Sequence, residues 1–190
     1  MAYTIITFLV PFLVLAGYAR YFFAIQKGEA KPHRVTRIVL FCSMLLSTLS
    51  FYVAGATVSL LAAVPLLIGS GVILVLSFKY GVGGWETIDV ICLVLGIAGL
   101  VFWQVHNNPD YGIYFGIGAQ ALGMIPTFVK TYRSPESEDF LFWFLHASAG
   151  AIALVFAPKT HFSQFVLPVY MIANNSTVLI LILRKKIYRI

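Results

Sequence analysis

Charge is scarce in this sequence, and acidic charge is scarcest. Only 11% of the 190 residues are charged against 60% hydrophobic, and the mean hydropathy is +0.90. A soluble domain carries about 25% charged residues, so a water-facing globule is excluded. A chain solvated by lipid must satisfy its backbone within helices or a closed barrel. The apolar runs here are continuous rather than alternating, which removes the barrel. The acidic residues are Glu29, Glu86, Asp89, Asp110, Glu136, Glu138 and Asp139. All fall near the ends of apolar runs or between them, which leaves no carboxylate at mid-membrane for proton or sodium coupling. Cysteine is nearly missing: Cys42 and Cys92 stand apart with no ligand spacing and read as small buried hydrophobes. No charge precedes Arg20, so the basic start of a signal peptide is lacking and the first apolar run is expected to be a retained helix.

What is present is a series of apolar runs of spanning length. A transmembrane helix needs about 20 mostly apolar residues. The sequence predicts spans over 2–24, 36–55, 57–79, 88–106, 110–131, 140–157 and 162–184. Residues 38–78 carry no charge at all. As one helix they would extend about 60 Å at about 1.5 Å per residue, twice a bilayer core. The chain must therefore turn back, and Gly55 is the corner. With seven spans, one side receives Arg20, Lys27, Lys31, Arg34, Arg37, Lys79, Lys130, Arg133, Arg184, Lys185, Lys186 and Arg189, while the other receives only Lys159. This asymmetry predicts the N-terminus outside and the C-terminus in the cytoplasm. It also accounts for the net charge of +6 by topology, so the expected partner is the lipid bilayer and not a nucleic acid. The Arg184-Lys185-Lys186 tail reads as a headgroup anchor.

The two ends of the chain echo each other. At an offset of 106, Gly17 meets Gly123 and Phe22 meets Phe128; at 105, Ser43 meets Ser148, Phe51 meets Phe156 and Lys79 meets Arg184. Both halves run helix, basic loop, helix, short corner, helix. The expected fold is all-α, with seven transmembrane helices arranged as two parallel three-helix repeats joined by a linker helix (3+1+3). The first repeat would occupy 1–80, the linker 81–107 and the second repeat 108–190. Parallel repeats of this kind are a transporter architecture, with the substrate site between the halves near the midplane.

The stretch Gly123-Met124-Ile125-Pro126-Thr127-Phe128-Val129-Lys130, continuing to Glu138, resembles a PQ-loop: a proline in the inner half of a helix, a basic residue, then a Ser/Pro-rich loop. Phe140-Leu141-Phe142-Trp143 resembles the tryptophan-bearing start of the next helix. Lys31 to Thr36 resembles the loop entering the equivalent helix in bacterial members. The layout is that of the SWEET sugar transporters, with the PnuC vitamin transporters related in form. Two positions depart from the pattern: Thr127 replaces the motif glutamine, and Ala19 or Arg20 stands where the first half would have its proline. The resemblance implies a facilitator in a plasma or bacterial inner membrane. It would carry a small, polar, uncharged solute, a sugar first and a vitamin precursor or amino acid derivative next. A receptor or sorting protein of the same fold, binding without transport, is the rival reading. The resemblance also implies Pro126 as a hinge.

Candidate pocket residues follow from polarity at depth. Asn174 and Asn175 stand near the middle of the last span, where a buried amide costs several kcal/mol without a partner, on the order of the transfer values. Tyr170 and Thr177 share a face with Asn174, which favours it. SWEET-like transporters are similar in placing an asparagine of this helix in the pocket. Trp143 and His146 lie one turn apart with Ala147 and Gly150. Trp143 suits stacking on a ring or a place in the interfacial belt. His146 is a lone intramembrane histidine and thus a candidate for solute contact or gating. With no second histidine or carboxylate at ligand spacing, no metal is expected. Gln120 sits on a stripe with Gly112, Gly116, Gly123 and Thr127, and either reaches the pore or packs a helix pair. Ser148 and Ser70 complete the expected pocket. No nucleophile–base pair lies at depth, so neither an enzyme nor a cofactor is expected. Homo-oligomer formation stays open.

Overall fold

A computed structural model describes the backbone of residues 2–30 and 32–187 and side chains within 6–30 and 32–184. The side chains of Lys31, Lys185, Lys186 and Arg189 lie outside the described set. The described chain is helical, with a single isolated bridge pairing His33 and Val82. Its helices are α1 (Ala2–Gln26), α2 (Arg34–Val53), α3 (Thr57–Tyr80), α4 (Thr87–His106), α5 (Asp110–Gly123), α6 (Ile125–Arg133), α7 (Phe140–Phe156) and α8 (Phe162–Ile187), with a 3-10 turn at Pro135–Ser137 before α7. Six spans, α5 and α6 counting as one, are long and apolar enough to cross a membrane, while α7 is a shorter apolar helix of 17 residues. That length lies at the low end of the spanning range. Large apolar side chains such as Phe8, Phe12, Val75, Val105, Val155 and Ile180 are exposed around the bundle. An apolar exterior of this extent is stable only against lipid or another apolar surface.

The boundaries have local causes. Asp139 caps α7 by accepting the Phe142 N–H at 2.8 Å. Glu86 and Asp89 form a capping box at the start of α4. The corner between α2 and α3 turns at Gly55, whose φ of 65° is the left-handed conformation that glycine adopts at no steric cost. The expected span 110–131 is divided at Met124. Pro126 supplies the reason, because it has no N–H to return to the Leu122 carbonyl and its ring crowds that turn. Pro11, Pro65 and Pro168 lie inside α1, α3 and α8 without dividing them.

In the packing, α3 stands between α1 and α2, and α8 stands between α7 and the α5–α6 rod. Across these groups α1 packs on α7, α2 on α5 and α3 on α8, while α4 lies against α5 and α2. At the end bearing the α2–α3 and α7–α8 corners, Ile6, Phe51, Ala56, Ala62, Ala153 and Leu167 form a fully buried core. The corners are tied there: Ser59 Oγ donates to the Ser163 carbonyl at 2.6 Å, and Gln164 Nε2 to the Gly55 carbonyl at 3.0 Å. The opposite, basic end is held by ions. Arg34 donates to the Ser77 and Gly81 carbonyls at 3.3 and 3.1 Å. Arg184 donates to the Tyr132 carbonyl at 2.7 Å with its guanidinium over the Tyr132 ring.

Candidate functional site

The buried face of α7 runs through Trp143, His146, Ala149, Gly150 and Ala153. His146 is 3% exposed. Its Nδ1 lies 2.8 Å from the Phe142 carbonyl. A carbonyl only accepts, so Nδ1 carries the proton, and in the neutral ring Nε2 is left as an acceptor. Nε2 is buried and has no hydrogen-bond partner. The ring is held on three sides. Phe142 packs at a centroid distance of 4.3 Å, and Tyr18 of α1 meets it edge-on at 5.1 Å. Gly17 completes the cradle: a Cβ there would lie 2.5 Å from the imidazole Cε1. Tyr18 in turn occupies the space left by the missing side chain of Gly69 on α3. Tyr170 of α8 packs against the same core as Tyr18. Two glycines and a tyrosine thus place an imidazole acceptor where α1, α3 and α7 meet.

The other expected pocket residues divide between different places. On α8 the buried stripe is Leu167, Met171, Asn175 and Val178. The inward amide is therefore Asn175, 5% exposed, while Asn174 is half-buried. Thr177 is exposed and donates to the Ala173 carbonyl, so it does not extend a polar face inward from Asn174. Asn175 donates Nδ2 to the Met171 carbonyl at 2.5 Å, which leaves Oδ1 available to a further donor. Ser148 is half-buried. Ser70 is half-buried and donates to the Leu67 carbonyl at 3.0 Å.

Trp143 and Gln120 are engaged elsewhere. The Trp143 indole N–H donates to Glu138 Oε2 at 3.0 Å, and Glu138 also receives Lys130 Nζ at 2.7 Å. Trp143 is thereby fastened to the loop before α7. Gln120 Nε2 donates to Ser47 Oγ and the Gly116 carbonyl at 3.2 and 3.3 Å. It belongs to the seam between α2 and α5, where Gly112 and Gly116 make room for Ser50 and Ser47.

Sequence reading did not find the partners of His146. Gly17 figured only as a repeat match and Tyr18 carried no motif; a small residue facing a ring is recognisable only once the helices are paired. Nor did it find the bidentate pair between Arg20 and Asp139, with Nε 2.7 Å from each carboxylate oxygen. This pair joins the part of α1 towards the basic end to the start of α7. Burial alone would raise the Asp139 pKa. The Arg20 hydrogen bond, the Phe142 N–H and the Arg20 charge outweigh it and hold the carboxyl below its usual range.

A further feature lies at the basic end. A groove of about 820 Å³ opens between the start of α4 and α6, lined by Trp85, Ile88, Pro126, Val129 and Arg133 among others. No family model matches the sequence, and no curated protein or solved structure matches it either.

Proposed function

We propose that the chain is a SWEET-like facilitator that carries a small, polar, uncharged solute, with a sugar as the first candidate, by alternating access. The observation that carries this reading is the unpartnered His146 Nε2, a buried acceptor within the apolar bundle at the α1–α7 contact. A polar atom kept without a partner at such depth is costly and is a functional candidate by default. A solute hydroxyl is the matching donor. Asn175, through its free Oδ1, is the second candidate contact. Pro126, at the break between α5 and α6, is the candidate hinge.

The pattern of helix neighbours supports the two-repeat arrangement. Exchange α1 with α5–α6, α2 with α7, and α3 with α8. The α1–α3 contact becomes that of α5–α6 with α8, α2–α3 becomes α7–α8, and α1–α7 becomes α5–α2, all of which occur. In this reading the corner end faces outside, the basic end faces the cytoplasm, and the two triplets rock about the His146 region. With no acidic residue among the buried neighbours of His146, flux follows the solute gradient.

Counterflow in proteoliposomes tests the proposal with a panel of labelled hexoses, pentoses and polyols. The expected result is saturable exchange of at least one of them, insensitive to an imposed proton or sodium gradient. Saturable binding without exchange would favour the receptor reading. Neither binding nor exchange across the panel would set the sugar class aside.

A further inference from the structure

The groove at the basic end is graded along the bundle axis. Its deeper wall is apolar, with Ile88 on α4 and Ile125, Pro126 and Val129 on α6. Its rim is polar and aromatic, with Trp85, Thr87, Lys130, Arg133 and Ser134. The groove exists because Pro126 divides the span at Met124: α4 packs extensively on α5, while α6 turns to α8 instead. The two cations at the rim differ. Lys130 is taken by Glu138 at 2.7 Å. Arg133 is exposed and makes no ion pair among the described residues. Glu86, the acidic residue at the rim, lies 3.6 Å from His33 Nε2. The volume falls within the range of about 300–1,000 Å³ typical of small-molecule sites, enough for a headgroup and the first part of an acyl chain.

We propose that this groove binds an anionic phospholipid of the adjoining leaflet, with its phosphate on Arg133 and an acyl chain along Ile88, Ile125 and Val129. Three features on the protein point to that occupant. The apolar-to-polar gradient runs in the direction of a lipid's own, from chain to headgroup. Trp85, 62% exposed, has the amphipathic ring favoured at the membrane interface. Arg133 offers a free planar donor that matches a phosphate's geometry, on the end of the bundle where the basic residues gather and where anionic lipid is attracted. The site is independent of what the bundle transports.

The test is native mass spectrometry of the detergent-purified full chain titrated with phosphatidylglycerol, with phosphatidylcholine as the neutral comparison. Wild type is expected to retain phosphatidylglycerol over phosphatidylcholine by about tenfold, the ratio given by about 1.4 kcal/mol. Arg133→Ala is expected to erase that preference. Lys27→Ala removes an equal charge from an exposed residue of the same end that does not line the groove, and is expected to leave the preference in place. Val129→Trp, which fills the apolar wall, is expected to lower retention of both lipids. Equal loss in Arg133→Ala and Lys27→Ala would overturn the proposal in favour of diffuse charge attraction. Competition by glycerol phosphate, which has the headgroup chemistry without chains, would overturn it in favour of a soluble-anion site.

Discussion

Where α2 meets α5, the contact is made of small residues with their polar atoms answered. Gly112 and Gly116 let the helices close on Ser50 and Ser47. Those hydroxyls return to their own helix carbonyls at Leu46 and Ser43, and Gln120 spans the gap to Ser47. Where α1 meets α7, the contact is made of rings. Tyr18 and Phe142 pack on His146 and Tyr21 packs on Phe142, one imidazole nitrogen is left over, and the end is fastened by an ion pair. Under the proposed repeat the two contacts are equivalents, yet one is saturated and the other is not. Close packing of small residues with satisfied hydrogen bonds is what holds apolar helices together in lipid, where no hydrophobic force does so. A buried acceptor left open contributes nothing to that cohesion. Under the proposed function the α2–α5 seam is then the fixed contact and the α1–α7 seam the one that meets the solute.

The largest expected effect breaks the α1–α7 side of this contrast. His146→Leu removes the open acceptor while keeping an apolar body among Gly17, Tyr18 and Phe142. Loss of one solute hydrogen bond of about 1.5 kcal/mol corresponds to about a tenfold loss of exchange. The thermal midpoint should hold or rise, because an unsatisfied polar atom has left the interior. Proteoliposome exchange and a melting curve on the same preparation read both quantities. A fall in the melting midpoint with exchange per folded molecule intact would make His146 a packing residue instead.

Substitution on the α2–α5 side should reverse the signature. A Cβ on Gly116 would collide with Ser47 Oγ and lie 3.2 Å from the Ser43 carbonyl. Gly116→Val is expected to cost about 1–3 kcal/mol, as overpacking does. Gln120→Leu, which removes only the bridge to Ser47, should cost less, about 0.6 kcal/mol by the average of interhelical hydrogen bonds in membranes. In both, exchange per folded molecule is expected to stay near wild type. A tenfold loss of exchange in Gln120→Leu with unchanged melting would return that residue to the pore.

The same contrast explains how much could be read in advance. The apolar runs place the helix ends within three residues of those observed, apart from the division at Met124, because hydropathy and corner glycines such as Gly55 act locally. The sequence marks Pro126 as a hinge within a single span 110–131, and the structure divides that span at Met124. Proline at three other places leaves its helix continuous, so a proline in an apolar run marks where a helix can divide without saying that it does. For the site, the sequence draws attention to polar residues within the apolar spans but does not tell which of them are already answered. Gln120 and Trp143 carry the same polar signal as His146. Their partners, Ser47 far away in sequence and Glu138 on a loop, appear only on folding. Tyr170 and Thr177 together favour Asn174 over Asn175 in the sequence, and a helical wheel does not say which side of α8 faces the bundle.

The smallest effect concerns the Arg20–Asp139 fastening of the α1–α7 seam. Asp139 has its folded-state pKa held below the usual carboxylate value, so its stabilising contribution is complete above about pH 3.9 and is lost as pH falls through the lowered value. The side chains are 51% and 24% exposed, and solvent screening keeps pairs of this kind small, about 0.2–1 kcal/mol. Asp139→Asn removes the charge while keeping a residue suited to capping α7. The melting midpoint of this variant should sit slightly below wild type by a constant margin from pH 8 to pH 5, a working range chosen about one unit or more above the free carboxylate value. The margin should shrink with added salt and close only in stronger acid, as wild-type Asp139 takes up its proton. A margin that closed near pH 6.5, about where free histidine titrates, would assign the pH response to an imidazole and leave Asp139 as a cap whose charge does not matter to the seam.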